Sequence, residues 1–405
     1  MKLYLRDQID WPQAFPPAEY AARRAHVRDA LAAEAIDAIF VTVPADITYL
    51  TGYDMVWYHL RSLTGLLVRA DSDDTLFFDG RPHTTIVSTT PEITDVVWFE
   101  RGPVAGVIAL IADKVADLGL AAGKQLATQR WSYAPHGDVI DSLSDRLRDA
   151  GATVTDASYL IEEIRLIKSP REIALMRKTA VIADMAMAAA RDAIKPGILE
   201  TEIEGVLIGA MMAAGGGYPA LRSMIGSGPR SGTHHAPAQA RSVKAGDLVF
   251  IDFCACLHRY HINLNRTFSL GEPDPRWRDL MDKSAGCIDA VVAGISPGDN
   301  LHKIHAIADD YIDGAGLRPY CWYNGGYATG IAVPPDWVGV HRTHPTLDKP
   351  DDRPLEPGMI FNLENQFDVW ENWPGGNGAA YIESLLMTDS GLEGMSGLPR
   401  NLVVV

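Results

Sequence analysis

Three carboxylates stand inside apolar runs, where a charged side chain needs a reason. Asp252 sits in Val-Phe-Ile-Asp-Phe-Cys, Glu364 in Met-Ile-Phe-Asn-Leu-Glu and Glu383 in Tyr-Ile-Glu-Ser-Leu-Leu. An ionised carboxylate buried in such a strand costs several kcal/mol unless it is paired. One of them could be a satisfied core acid; three on separate strands point to one shared cleft. A carboxylate in a cleft can attack an amidine or amide carbon, or activate water to do so. A protonated neighbour then donates to the departing nitrogen. Two carboxylates can hold a cationic substrate nitrogen, because charge pairing strengthens where water is excluded.

The aromatic residues fall near these positions. Trp57 and Tyr58 follow Tyr53 and Asp54, Trp322, Tyr323 and Trp337 flank Tyr327, and Trp370 and Trp373 follow Glu364. An aromatic face binds a delocalised cation with about 0.5–2 kcal/mol, so a small cationic or zwitterionic ligand is expected, with Trp337 among its contacts. Arg342, Arg259 or Arg266 could hold a substrate carboxylate by a bidentate pair. Arg266 is better read as structural, because it ends a strand beside Thr267.

The elements that must position these residues follow from periodicity and punctuation. A chain of 405 residues exceeds one ordinary core, so two domains are expected, 1–162 and 163–405. In the first, helical patterns at 18–35, 104–118 and 138–150 alternate with strand runs at 38–43, 64–68, 75–78 and 95–99, which predicts an α/β layer domain. Lys168-Ser169-Pro170-Arg171-Glu172 is a helix start, with Ser169 as cap, Pro170 at the first position and Glu172 able to bond back. Helices are expected from there to 193, at 200–214, 275–293 and 301–315. A hairpin is expected at 247–271, and strands at 359–364 and 379–388. Asp252, Cys254 and Cys256 alternate and so face one side of their strand.

The net charge of −16 argues against nucleic acid or an anionic membrane as partner. No apolar run approaches about 20 residues, so no membrane span is expected. The charged, Pro-containing first residues lack the apolar centre of a signal peptide. Four scattered cysteines do not make a disulfide framework. Together these predict a reduced, cytoplasmic protein.

The hairpin carries a resemblance. Asp252 is followed eleven positions later by Asn263, just ahead of Arg266-Thr267. This resembles the core motif of the creatinase / methionine aminopeptidase / prolidase superfamily, the pita-bread (M24) hydrolases. The resemblance implies a two-domain α/β protein, with an N-terminal creatinase/prolidase-type α/β domain, suggested by Asp46–Asp54, and a C-terminal pita-bread catalytic domain. It also implies that Asp252, Glu364 and Glu383 occupy ligand positions of a dinuclear metal site. Two further ligands are replaced: the second Asp by Asn263, and the His of a Gly-His-x-x-Gly setting by Tyr327 in Gly326-Tyr327-Ala328-Thr329-Gly330. Losing an anion and an imidazole should abolish the two-ion arrangement. No cofactor is therefore expected, the alternative being one divalent ion on Asp252, Glu364 and Glu383.

Two metal-free patterns within the superfamily are similar to this chain. His235-Ala236-Pro237 resembles the position of creatinase's general acid/base. His258-Arg259-Tyr260-His261 with Leu264-Asn265-Arg266-Thr267, and Gly326-Tyr327 with Pro334-Pro335-Asp336-Trp337, resemble ectoine-hydrolase-like members. The expected function is metal-independent hydrolysis of a C–N bond in a small cyclic amidine, amide or amidino compound. Asp252 is the expected nucleophile or base and His235 the acid/base. Glu364 and Glu383 are expected at the substrate nitrogen, and Tyr327, Asn263, His261, Trp337 and Arg342 around the substrate. The family pattern also implies a homodimer, in which Tyr53, Asp54 and Trp57 reach the neighbouring subunit's site. A creatinase-like or other C–N or C–S cleaving enzyme, a metal-dependent Xaa-Pro peptidase and an inactive binding module are the alternatives.

Overall fold

The computed structural model describes residues 13–405 apart from 57, 59–62, 101, 233 and 340–352; Trp57 and Arg342 lie outside the described residues. The chain divides into two compact units, Met1–Arg165 and Leu166–Val405.

The first unit runs α1 (Pro17–Ala33), β1 (Ala38–Val41), α2 (Pro44–Thr51), β2 (Gly65–Arg69), β3 (Thr75–Gly80), α3 (Thr84–Ser88), β4 (Val96–Phe99), α4 (Val104–Asp117), β5 (Gln125–Thr128), α5 (Gly137–Asp149), β6 (Thr153–Asp156) and α6 (Leu160–Leu166), the last crossing the division. Its sheet has the order β4-β3-β2-β1-β5-β6. β1 is parallel to β5 and antiparallel to β2. The apolar stripes of α4 (Val107, Ile111, Val115) and α5 (Val139, Leu143, Leu147) share a core cluster with Ala38 and Phe40 of β1 and Leu67 of β2.

The second unit begins with α7 (Pro170–Ala193), where Ser169 accepts from the Glu172 N–H at 3.2 Å and Glu172 accepts from the Ser169 N–H at 3.0 Å, the expected capping box. Then come α8 (Glu200–Ala213), β7 (Met224–Ser227), β8 (Leu248–Leu257), β9 (Tyr260–Ser269), α9 (Pro275–Gly294), α10 (Leu301–Gly314), β10 (Cys321–Gly325), β11 (Ile360–Asp368), β12 (Gly378–Thr388), β13 (Gly391–Gly394) and β14 (Val403–Val404). The sheet order is β10-β11-β12-β9-β8-β7, with β13 beside β12 and β14 beside β9. α7 packs on β8 and β9, and α9 on β11 and β12.

Register decides which residues share a face, because directly paired residues point the same way and successive ones alternate. Asp252 pairs with Asn265, Cys254 with Asn263, Asn265 with Ile382, and Ile382 with Glu364. Asp252, Asn263 and Glu364 therefore lie on one face. Arg266, Leu363 and Glu383 lie on the other, where Leu363, Phe367, Tyr381 and Leu385 join the core beneath Trp277, Leu280 and Ile288 of α9.

Candidate active site

The acid on β8 and the acid on β11 are joined by amides. Asn263 donates from Nδ2 to Asp252 Oδ1 at 2.9 Å. Asn362, two residues before Glu364 and on the same face, donates from Nδ2 to Asn263 Oδ1 at 3.0 Å and to Glu364 Oε1 at 2.6 Å. Gln366 donates from Nε2 to Glu364 Oε2 at 2.8 Å. Both acids are buried. Burial, reinforced by the charge of Glu364 and opposed by the Asn263 hydrogen bond, pushes Asp252 up from 3.8 to about 8. Burial also raises Glu364, against hydrogen bonds from Tyr327, Gln366 and Asn362 that favour its charged form. Two like charges in one buried network do not both ionise cheaply, which favours a shared proton. Glu364, with more donors, is the better anion. Asp252 is the better proton holder.

Tyr327 completes the site. A Cβ on Gly326 would lie 1.8 Å from the Asn362 carbonyl oxygen, so only glycine lets this loop approach β11 so closely. The Tyr327 N–H donates to Asn362 Oδ1 at 2.8 Å, and Trp337 Nε1 donates to the Tyr327 hydroxyl at 3.0 Å. Burial and then the Glu364 charge raise the phenol well above its ordinary value, so it stays a neutral donor. Tyr327, Trp337, Phe250 and Cys254 form the apolar wall of this face.

The structure corrects three expectations, those for Glu383, His261 and Tyr53. Glu383 does not join Asp252 and Glu364. It points to the opposite face, where its Oε2 accepts from Arg266 Nη2 at 2.9 Å and lies 3.6 Å from Arg400 Nη1. The cause is parity: Ile382, not Glu383, pairs with Glu364. His261 lies on the site's face, but both its ring nitrogens are used. Nε2 accepts from the Ala220 N–H at 2.9 Å, and Nδ1 meets the Arg259 carbonyl at 2.9 Å. Burial lowers it to about 4, so it is a neutral structural imidazole. Tyr53 is fully buried in the first unit, its hydroxyl donating to Asp79 Oδ2 at 2.6 Å, which leaves no surface for a ligand. His235 is exposed in a left-handed backbone conformation (φ 62°), its proton affinity lowered by burial and by His234. Its neighbour His234 turns inward instead. Asp54 is exposed.

Three residues of the site went unnoticed in the sequence: Asn362, Gln366 and Asp368. The signal was polar alternation, Asn-x-Glu-x-Gln-x-Asp, in a strand otherwise rich in apolar residues.

Two family models match the chain. Residues 23–167 match the Creatinase/Prolidase N-terminal domain, and residues 174–389, more than half of the chain, match metallopeptidase family M24. The chain belongs to family M24. The ectoine hydrolase of Halomonas elongata is 26% identical over 432 residues, covering 98% of this chain and 99% of that protein. The Xaa-Pro dipeptidase of Pyrococcus furiosus is 27% identical over 244 residues, 60% of this chain and 67% of that one. Among solved structures, a dipeptidase from Pyrococcus horikoshii superposes with a TM-score of 0.77 at 20% identity, over 95% of this chain and all of that one. A prolidase from Thermococcus sibiricus gives 0.80 at 18% identity, over 95% and 99%. At these identities the structural likeness concerns the fold. The chain is an M24-family hydrolase of the two-domain α/β, pita-bread kind.

The family name implies metal, and the donors here do not fit a dinuclear site. Two carboxylates face each other instead of four, the imidazole position holds a tyrosine, and the Asn263 amide oxygen already accepts from Asn362. Among the described residues no group of three or more His, Cys, Asp or Glu side chains is arranged to hold an ion. No helix among them is long and apolar enough to cross a membrane.

Proposed function

We propose that this site hydrolyses a C–N bond in a small cationic or zwitterionic cyclic amidine, amide or amidino compound, using side chains without a metal. The observation that carries the reading is the Asp252–Asn263–Asn362–Glu364 network, two buried acids joined through amides where the family's ions would be held. A cationic substrate nitrogen entering between the acids favours their charged forms, so on binding Asp252 releases its proton to solvent and is free to act as a base. Asp252 then takes a proton from an incoming water, whose oxygen forms the C–O bond. The neutral Tyr327 hydroxyl donates to the charge that develops on the adduct. The C–N bond breaks as the departing nitrogen receives that proton by way of the His234–His235 turn, and the two acids take back one proton from solvent as the products leave. The enzyme is proposed to work in the cytoplasm as a homodimer.

The similarity to an Xaa-Pro dipeptidase favours a second reading, peptide hydrolysis. One experiment separates the two: turnover of ectoine, creatine and Xaa-Pro dipeptides with and without chelator. The proposal expects turnover of a non-peptide compound that chelator leaves unchanged. Cleavage of the dipeptides alone, abolished by chelator, would return the chain to metallopeptidase chemistry.

A further inference from the structure

We infer that His234, held by Asp368, is the proton-relaying group of this site, and that the space it faces takes a ligand rich in N–H donors. This rests on the acid-pair reading above and names its missing partner.

The loop after β7 is folded tightly enough to drive His234 inward. Glu200 is buried and accepts from the Ser227 N–H at 2.8 Å, from Arg230 Nε at 3.1 Å and from the Gln239 N–H at 3.0 Å, pinning both ends of the loop. A Cβ on Gly232 would lie 2.7 Å from the Asn377 backbone, so the loop lies directly against the start of β12. His234 emerges with its side chain 5% exposed. Its ring stacks on Trp322 at 4.8 Å and 18°, and meets the edge of Phe250 at 5.6 Å. Phe250 is two residues before Asp252 and on the same face. A positive charge on His234 would favour the ionised form of Glu364.

The imidazole has one nitrogen fixed and one idle. Nε2 lies 3.0 Å from Asp368 Oδ1. An ionised Asp368 only accepts, so Nε2 carries the proton and Nδ1 keeps a lone pair. Nδ1 is buried and has no partner among the described residues. Asp368 shares the face of Glu364 and Gln366 by strand alternation, and the Oε1 of Gln366 is likewise buried without a partner. Its Nε2 is committed to Glu364, so this free atom is an acceptor. Between the acid pair and Asp368 the protein thus leaves two buried acceptors idle. Natural interiors rarely do so unless something else supplies the donors. An amidinium or ammonium group supplies them and is attracted by Glu364 as well; a peptide carbonyl supplies none. Asp368 also lines an open cavity of about 430 Å³ with Gly232 and Trp370.

The relay balances. The proton that Asp252 removes from water passes to Nδ1 and from there to the departing nitrogen. The C–O bond forms and the C–N bond breaks, and His234 finishes neutral and Asp252 ionised, as both were in the substrate complex. Asp368 is a positioning residue that holds the Nε2–H tautomer and stabilises the transient imidazolium.

The test uses the full chain labelled with ¹⁵N-histidine. His234 should show a fixed Nε2–H tautomer, which Asp368→Asn should release to averaging while the His235 signals stay unchanged. Tautomer averaging at His234 in the wild type, or an Asp368→Asn change confined to His235, would overturn the proposal. With any substrate turned over in the panel above, His234→Gln should lower kcat at least tenfold further than His235→Gln. Asp368→Asn should lower kcat less and change the pH profile. If Asp252→Asn is inactive while His234→Gln keeps its rate, this inference alone fails. If Asp252→Asn is active, the acid-pair reading fails with it.

Discussion

At the scale of single residues, the chemistry lies in the proton balance of Asp252. Its affinity for a proton rises from 3.8 to about 8 through burial and the neighbouring Glu364. Between these values the folded protein keeps a proton that the unfolded chain has released, so stability falls with rising pH, by about 1.4 kcal/mol per pH unit for one such group. The contribution is intact below about pH 4 and lost by about pH 8. Asp252→Asn removes this dependence. Its melting temperature relative to wild type should climb as pH rises through that window, and turnover should fall by about 10²-fold or more. Parallel melting curves at every pH would mean that Asp252 is not the proton holder. Glu383 should behave in the opposite way. It is fully buried and paired with Arg266, whose side chain is 4% exposed, so Glu383→Gln strands a buried guanidinium and should cost about 3–5 kcal/mol of stability. The protein that remains folded should keep its rate. A large loss of kcat with an unchanged melting temperature would put Glu383 back in the chemistry.

At the scale of elements, strand parity sets what each side chain can reach, and parity is where the sequence was both clear and deceptive. The hairpin of β8 and β9, the capping box of α7 and the apolar strands β11 and β12 were all readable, because alternation, caps and Gly or Pro punctuation are local signals. Asp252 and Asn263 could be placed together because a hairpin fixes its own register. Glu364 and Glu383 sit on strands joined by a connection that fixes nothing visible in the sequence, and a shift of one residue moves a side chain to the other face. His234 and His235 posed the same problem. Adjacent residues of one turn point apart, and only the fold of the loop against Asn377 selects which turns inward. Tyr53 shows a different limit: the family pattern implied that it reaches a neighbouring subunit's site, whereas a buried Asp79 claims its hydroxyl. The close approach at Gly326 gives a prediction at this scale. Gly326→Ala places a methyl on the Asn362 carbonyl, so the loop must move, and Tyr327 with it. Turnover should fall by at least the amount lost in Tyr327→Phe, with the pH profile of Asp252 displaced. Wild-type kinetics in Gly326→Ala would show that the Tyr327 loop does not order the acid pair.

For the whole molecule, the question is whether a member of a metallopeptidase family can work without its ions. The fold supplies the scaffold regardless: α7 and α9 cover one face of the sheet, and the other carries the polar row of β11 and the acid of β8. In a site with two ions, carboxylates are held apart by the charge between them, and removing the ions leaves repelling anions. Here the space between Asp252 and Glu364 is spanned by amide donors, Asn263 and Asn362, so the pair is already compensated. If the proposed metal-free site is right, dialysis against a strong chelator should leave the melting temperature within about 1 °C and kcat unchanged, because no native-state ligand would then be withdrawn. Added zinc or manganese should give no stabilisation that grows with metal concentration. A melting temperature that drops on chelation and recovers with stoichiometric metal would show that the amides do not replace the ions. The structural ion pair of Glu383 would then have to reopen toward the other face, which register forbids without a slip of β12 against β11.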